Sequence, residues 1–312
     1  MERNAWLEKR RTGIAVSDFS AILGLSPFKS PVQVYMDKIG LVEDREETLA
    51  MKLGRRLEPI IGELFTERTA LQIVPGEITQ HPTHPLILGT PDFLVVDRPA
   101  GMEAKTTAWA REDEWGEEMT DLVPMQYLIQ CLGYLEITER EEWFLSLLVG
   151  GSRDFRIYRI PRNAEQQKRL IDFAENWWHQ HVEKQVPPPL DATASSAAYL
   201  KRMFPRHVEG QIVPADEVTA ELIATYAHEK EMLDALETRT DALKNQICGQ
   251  IGDAEGIACE GYKITWKAAK DTERVKWEAV AKALNPPAEL VKEHTSVQPG
   301  PRRFLLRSTN HA

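Results

Sequence analysis

The chain has 312 residues, 42% of them hydrophobic and 28% charged, which suits one sizeable globular domain with an appendage, or two small domains. It contains no run of about 18 apolar residues, so a membrane-spanning helix is not expected, and its polar start, Met1–Arg11, lacks the apolar stretch of a secretory leader; a cytoplasmic protein is expected. The net charge of −10 argues against coating nucleic acid over a broad face, but not against gripping it within one channel.

In chain order, the first predicted element is a short helix starting at Ser17-Asp18 and stopped by Gly24. Ser30-Pro31 starts a second helix, an N-cap with proline in the first turn, and Gly40 ends it. A third is expected from about Glu47 to Thr69, where Leu49, Leu53, Leu57, Ile61, Leu64 and Phe65 make one apolar face. Pro59 lies inside it and should kink or split it. Short β runs follow at Glu77–Gln80, Leu86–Gly89, Phe93–Val96 and Met102–Thr106, and the turn Asp97–Gly101 should join the last two as an antiparallel hairpin. A helix over about Val123–Leu135, strands over Trp143–Val149 and Phe155–Ile160, and a helix over Arg162–Val182 complete the first domain, which is expected to end near residue 190, after Pro187-Pro188-Pro189. The remainder, 191–312, is an extension. It holds a long helix or coiled-coil arm over Ala215–Ile251, a strand at Gly261–Ala268, a short helix at Trp277–Leu284 and a last strand at Arg302–Arg307.

Cys131, Cys248 and Cys259 are too scattered for a disulfide framework or a metal site. The pairs His81/His84 and His179/His181 are expected on a solvated loop and a solvated helix face rather than on a metal. Lys9, Arg10 and Arg11 form one basic cluster and Arg55-Arg56 another, while Arg111–Glu118 is acidic and should face away from any polyanion. Each cluster also reads as a plain solvated face.

The segment Gly89–Thr107 carries the chemistry. Asp92 starts one strand of the expected hairpin, and Glu103 and Lys105 stand two apart on its partner. Side chains alternate along a strand, so Glu103 and Lys105 share a face while Met102 and Ala104 turn into the core. Two carboxylates and an ammonium converge. Magnesium takes oxygen ligands, commonly one or two carboxylates, so Asp92 and Glu103 are candidate ligands, with the Ala104 carbonyl beside them. Lys105 is placed to orient a water and stabilise charge. Taken alone, a Glu-x-Lys pair is more often an exposed ion pair on a sheet. Glu58, at the edge of the third helix's apolar face, is a further metal ligand or a surface glutamate. Gln130 and Tyr134 lie one turn apart on one helix face. They suit holding a water or phosphate oxygen, or plain packing.

Pro91-Asp92 with Glu103-Ala104-Lys105 resembles the PD-(D/E)XK nuclease signature, and the first 190 residues resemble the YqaJ-type viral recombinases, the group that includes phage lambda exonuclease. Arg10-Arg11-Thr12-Gly13-Ile14-Ala15-Val16-Ser17-Asp18, Gly54–Pro59, Gly89-Thr90-Pro91-Asp92, Glu103-Ala104-Lys105 and Gln130–Thr138 match family motifs in order. Leu132 stands where the family often has a second glutamine, and Gly261–Lys270 with Arg302–Arg307 is similar to longer phage members. The resemblance implies an α/β fold with a restriction-endonuclease-like mixed sheet flanked by helices. It implies a magnesium-dependent 5′-to-3′ exonuclease, with manganese a substitute, acting on linear double-stranded DNA and leaving 3′ overhangs. Catalytic residues would be Asp92, Glu103, Lys105 and Gln130, and metal ligands Asp92, Glu103, Ala104 and Glu58. Arg10, Ser17 and Thr90 would bind the terminal 5′-phosphate, with Arg11, Gln126 and Tyr134 in support. A trimeric ring, a single-strand annealing partner and a phage or prophage gene working in a bacterial cytoplasm are implied as well. The rival readings are an endonuclease on the same fold and a non-catalytic DNA-binding or scaffold protein.

Overall fold

A computed structural model describes residues 9–42, 48–108, 113–150, 154–296, 300 and 302–306. The N-terminal segment enters as strand β1, Ile14–Ala15, then a 3-10 turn, Val16–Asp18, and helix α1, Phe19–Ile22. Helix α2 is Pro31–Lys38, and the Ser30 hydroxyl caps it by accepting from the Gln33 amide. Helix α3 runs unbroken over Leu49–Thr69, capped by Thr48; Glu47 lies outside the described residues. The expected split at Pro59 is absent. Proline removes the donor that would meet the Arg55 carbonyl, but both residues lie on the exposed side of the helix, where water can serve that carbonyl. Of the apolar face, Ile61 and Phe65 are buried, whereas Leu49 and Leu53 are exposed, so the helix packs by its C-terminal half.

Strands β2 (Ile73–Pro75), β3 (Thr79–Gln80), β4 (Ile87–Gly89), β5 (Phe93–Val95) and β6 (Ala100–Thr107) follow, then helix α4 (Met125–Ile137), strands β7 (Glu142–Val149) and β8 (Asp154–Pro161), and helix α5 (Ala164–Trp177), which continues as a π-helical stretch, Trp178–Glu183. The main sheet has the order β2-β5-β6-β7-β8. Within this sheet, among the described residues, β6 and β7 pair in parallel and the other pairs are antiparallel. The hairpin expected from the Asp97–Gly101 turn is present, with Phe93 opposite Met102. The mixed α/β core is therefore as expected. Strand β2, a short edge strand ending in proline, was missed.

Every residue of β7 is buried, as befits a central strand covered on both faces. On one face α3 packs through Phe65 onto Phe93, Met102 and Phe144. On the other, α4 and α5 pack through Leu135 and Ile171 onto Trp143, Leu145 and Tyr158. Met102 and Ala104 thus lie on the α3 side, leaving Glu103 and Lys105 to the α4 side. A second small sheet, β1-β4-β3, pairs Ile14 with Ile87 and Ala15 with Leu88. Because β4 leads straight into Thr90-Pro91-Asp92, this pairing brings the Arg10–Ser17 segment to the hairpin.

The first compact unit ends at Met203, later than the proline run suggested. Helix α6, Ala194–Met203, closes on α2: Tyr199 meets Tyr35 edge-on at 6.0 Å, Ser195 bonds Ser30 at 2.7 Å and Arg202 donates to the Leu41 carbonyl. The second unit, from Phe204, contains helix α7 (Glu217–Ile251), hairpin β9 (Gly256–Cys259) and β10 (Tyr262–Thr265), and helices α8 (Trp277–Leu284) and α9 (Ala288–Glu293). Residues 302–306 form no strand, contrary to expectation: strand-like residues alone do not make one without a neighbour to pair with. Arg307 lies outside the described residues.

His81 departs from the solvated loop expected of it. It is buried, and its Nδ1 accepts from the Thr83 and His84 amides at 3.2 Å. The lone pair so used keeps the proton on Nε2, which faces Glu136 at 3.6 Å. His84 pairs with Glu175 at 2.9 Å. His179 sits on the exposed helix surface, paired with Glu183, and His181 packs on Trp177.

Candidate active site

The hairpin places Asp92 at the head of β5 and Glu103 in the middle of β6. Asp92 Oδ2 accepts from the Ala104 amide at 2.8 Å, which locks the carboxylate to the partner strand. Glu103 is 2% exposed. Its Oε1 accepts from Lys105 Nζ at 2.5 Å and from the Gln130 amide at 2.7 Å, while its Oε2 is buried with no donor against it. Burial, and then the neighbouring Asp92 carboxylate, push Glu103 up to about 8. Burial raises Asp92 as well, against the pull of Lys105. Burial disfavours the Lys105 charge, but Glu103 and Asp92 outweigh it and hold the ammonium protonated. Its Nζ also lies 5.5 Å from the centre of the Tyr127 ring.

Glu58, on α3, lies within electrostatic range of Asp92 and Lys105. It is half-buried, and desolvation followed by the Asp92 charge raises it to about 7, against Lys105 and Arg55. Gln130 is oriented from α4: its amide also donates to the Tyr134 hydroxyl at 3.2 Å, which donates to the Thr90 carbonyl at 3.1 Å. Tyr134 therefore ties the glutamine helix to the strand junction that carries Asp92. Gln126 lies a turn before Gln130, partly exposed.

Lys105 offsets part of the charge of the two adjacent buried carboxylates, but one Glu103 oxygen still meets no donor, and the pair offers the hard oxygen donors magnesium prefers. The residues present fit such an ion. Among the described residues no three acidic, histidine or cysteine side chains stand grouped so as to hold a metal ion, so Glu58 does not join Asp92 and Glu103 in one ligand cluster.

A second group of charges adjoins through β1. Arg10 donates to the Ser17 hydroxyl at 2.8 Å. Arg11 turns to Asp37 at 3.7 Å instead, so the register that puts Arg10 beside Ser17 is the one the fold adopts. Ser17 lies in the 3-10 turn, and the following helix has no side-chain cap, so Ser17 is not its N-cap. Beneath them lies Asp18, 3% exposed. It gathers Lys29 at 2.9 Å, Lys38 at 3.1 Å and Arg10 at 3.8 Å. Burial would raise Asp18, but Lys38, Lys29 and Arg10 together hold it far below the usual carboxylate range. Sequence reasoning gave Lys29 and Lys38 no part, and Asp18 only a helix start and the last place of the N-terminal motif. Lys29 sits in a loop without pattern, and Lys38 reads as an ordinary surface residue of its helix; the alternation of charge and burial that joins them exists only once α2 folds over β1.

Fold and site together define an α/β domain with paired carboxylates and a lysine at the mouth of a mixed-sheet hairpin, flanked by a cationic cluster. Residues 5–141 match the YqaJ-like viral recombinase domain. The YqaJ protein of Bacillus subtilis strain 168 is 30% identical over 284 residues, 88% of each chain. The alkaline exonuclease LHK-Exo of Laribacter hongkongensis aligns with 16% identity and a TM-score of 0.48, covering 64% of this chain and 97% of that one. A phage-related exonuclease of Haemophilus somnus aligns with 15% identity and a TM-score of 0.40, covering 55% and 96%. The chain belongs to the YqaJ-like viral recombinase family.

Proposed function

We propose that the protein is a metal-dependent deoxyribonuclease that digests linear double-stranded DNA from the 5′ end and leaves 3′ overhangs for strand-annealing recombination. The observation that carries this reading is the buried Asp92–Glu103 pair, with an orphaned Glu103 oxygen and Lys105 closed on its other side. Asp92, Glu103 and the Ala104 carbonyl would hold a magnesium ion, with manganese a substitute. Such an ion, when bound, polarises the scissile phosphate and acidifies water. Lys105 holds its proton and presents a fixed positive charge where charge builds up on the phosphate oxygens. Gln130, fixed by Glu103 and Tyr134, positions the attacking water or a phosphate oxygen. Arg10, Ser17 and Thr90 bind the terminal 5′-phosphate, whose extra charge over an internal phosphodiester favours a guanidinium. The family resemblance adds a ring of three chains and an annealing-protein partner to this reading. Incubation of linear and covalently closed circular duplexes with magnesium or with EDTA tests it. Linear DNA alone should be consumed, in magnesium alone, and not by Asp92→Asn. Cleavage of closed circles would favour an endonuclease, and no cleavage of either a DNA-binding scaffold.

A further inference from the structure

Helix α7 is 35 residues long and buries almost none of itself: of its side chains only Ile251 is buried. A helix of that length draws its stability from packing of an apolar face, yet Leu222, Leu233, Leu236 and Leu243 are between 47% and 65% exposed. With Tyr226 and Ile247 they fall on alternating three- and four-residue steps, the first and fourth places of a seven-residue repeat. Thr219, Glu229, Thr240 and Gln250 occupy the remaining places of that seam.

The order of these residues says what covers them. In a parallel pair of identical helices each seam residue meets itself. Glu229 would face Glu229 of the second copy inside the seam, and Arg239 would flank Lys244. In an antiparallel pair centred between Leu233 and Leu236, apolar residues meet apolar ones and polar residues meet polar ones. Leu233 meets Leu236, Tyr226 meets Leu243, and Leu222 meets Ile247; Glu229 meets Thr240, and Thr219 meets Gln250. Thr240 enters with its hydroxyl already donated to the Leu236 carbonyl at 2.8 Å, so it brings no unsatisfied donor. Beside the seam Lys230 comes against Glu237 of the other copy, twice. A concavity open to solvent is lined by Leu243, Gln246, Ile247 and Gln250, the four-residue hole into which the partner's Leu222 would fit as a knob.

We propose that α7 is a self-association arm that pairs with α7 of a second copy of this chain as an antiparallel coiled coil, over about 46 Å of helix from Thr219 to Gln250 at 1.5 Å per residue. This stands apart from the nuclease reading. Phe304 of the same chain already meets Tyr226 edge-on at 5.2 Å, so the chain's own tail is the rival occupant.

Light scattering on the full-length protein tests the proposal. Wild type should contain an even number of chains, whatever the catalytic units do on their own, and Leu233→Asp with Leu236→Asp should halve the mass. Lys230→Glu sets like charges against each other across the pair and should weaken association about tenfold. Adding Glu237→Lys should restore it, although the ion pair of Lys230 with Asp234 within one helix at 2.8 Å stays broken. That restoration separates a contact between copies from a loss of helix stability. Cleavage of linear DNA per chain should be unchanged in all of these variants, so the outcome is independent of the nuclease reading. A monomeric wild type, a mass unmoved by the double leucine change, or a charge swap that fails to restore association each overturns the proposal.

Discussion

At the scale of single residues, the site is a problem of buried charge. Removing Asp92, Glu103 or Lys105 as Asp92→Asn, Glu103→Gln or Lys105→Ala should slow cleavage at least about a hundredfold, as loss of one preorganised charge does elsewhere, measured as initial rate with folding checked by circular dichroism. The same carboxylates set a pH dependence in EDTA. Glu103 titrates at about 8 in the folded chain and at about 4.3 when unfolded. Between those values the folded state holds the extra proton, so stability is full below about 4.3 and falls as pH rises towards about 8. The melting temperature in EDTA should decline across that window, and the decline should flatten in Glu103→Gln; an equal slope in both proteins would contradict this. Asp18 behaves in the opposite sense. Its lowered pKa contributes stability above the unfolded carboxylate range that is lost in acid. Asp18→Asn leaves the buried Lys38 ammonium without its charged partner, although it still donates to the Arg10 carbonyl, and should cost roughly 3–5 kcal/mol, read by urea denaturation. That Glu103 and Lys105 share a face was legible in the sequence because alternation along one strand fixes it, and Asp92 joins them across the hairpin that the Asp97–Gly101 turn announced. The Asp18 cluster was not, since its partners come from three separate elements.

At the scale of elements, the hairpin is held by what lies beneath it. A Cβ on Gly101 would overlap the Trp143 ring, so that ring sits against β6 two residues before Glu103. Gly101→Ala should force Trp143 or the strand to move. It should cost about 1–3 kcal/mol, as overpacking of a core does, and cut activity beyond what lost folding explains; thermal melting and specific activity together check it. Most elements were legible from caps, turns and periodicity. Ser30-Pro31 and Gly40 bracketed α2, and Asp97–Gly101 announced the hairpin. The failures share a cause. Strand β2 is short and ends in proline, β9 at Gly256–Cys259 has no alternating pattern, and residues 302–306 carry strand-like residues with no partner strand. Each depends on a neighbour that local sequence does not name. The intact course of α3 through Pro59 depends likewise on which side of the helix meets solvent. The rim of acidic residues at Arg111–Glu118 falls partly outside the described residues; within it Trp115 is buried and stacks on Tyr127, a packing role that charge counting hides.

At the scale of the molecule, catalysis and association are assigned to separate units. The proline run suggested a boundary near residue 190, but α6 packs on α2 through Tyr199 and Ser195. A chain ending at Met203 should fold and cleave, whereas one ending at residue 190 should melt at lower temperature because it exposes Tyr35 and the α2 face; differential scanning calorimetry of both checks this. The most direct measurement of the central claim is digestion of a linear duplex labelled separately at each end, with 5′-phosphate or 5′-hydroxyl termini, in magnesium. The 5′ label should be released first. Arg10→Ala should slow phosphorylated ends about ten- to hundredfold, the value of a charge-assisted hydrogen bond of roughly 1.5–3 kcal/mol, and hydroxyl ends far less. Release of the 3′ label first, or equal rates on both kinds of end in wild type, would contradict the assignment of Arg10, Ser17 and Thr90 to the 5′ terminus.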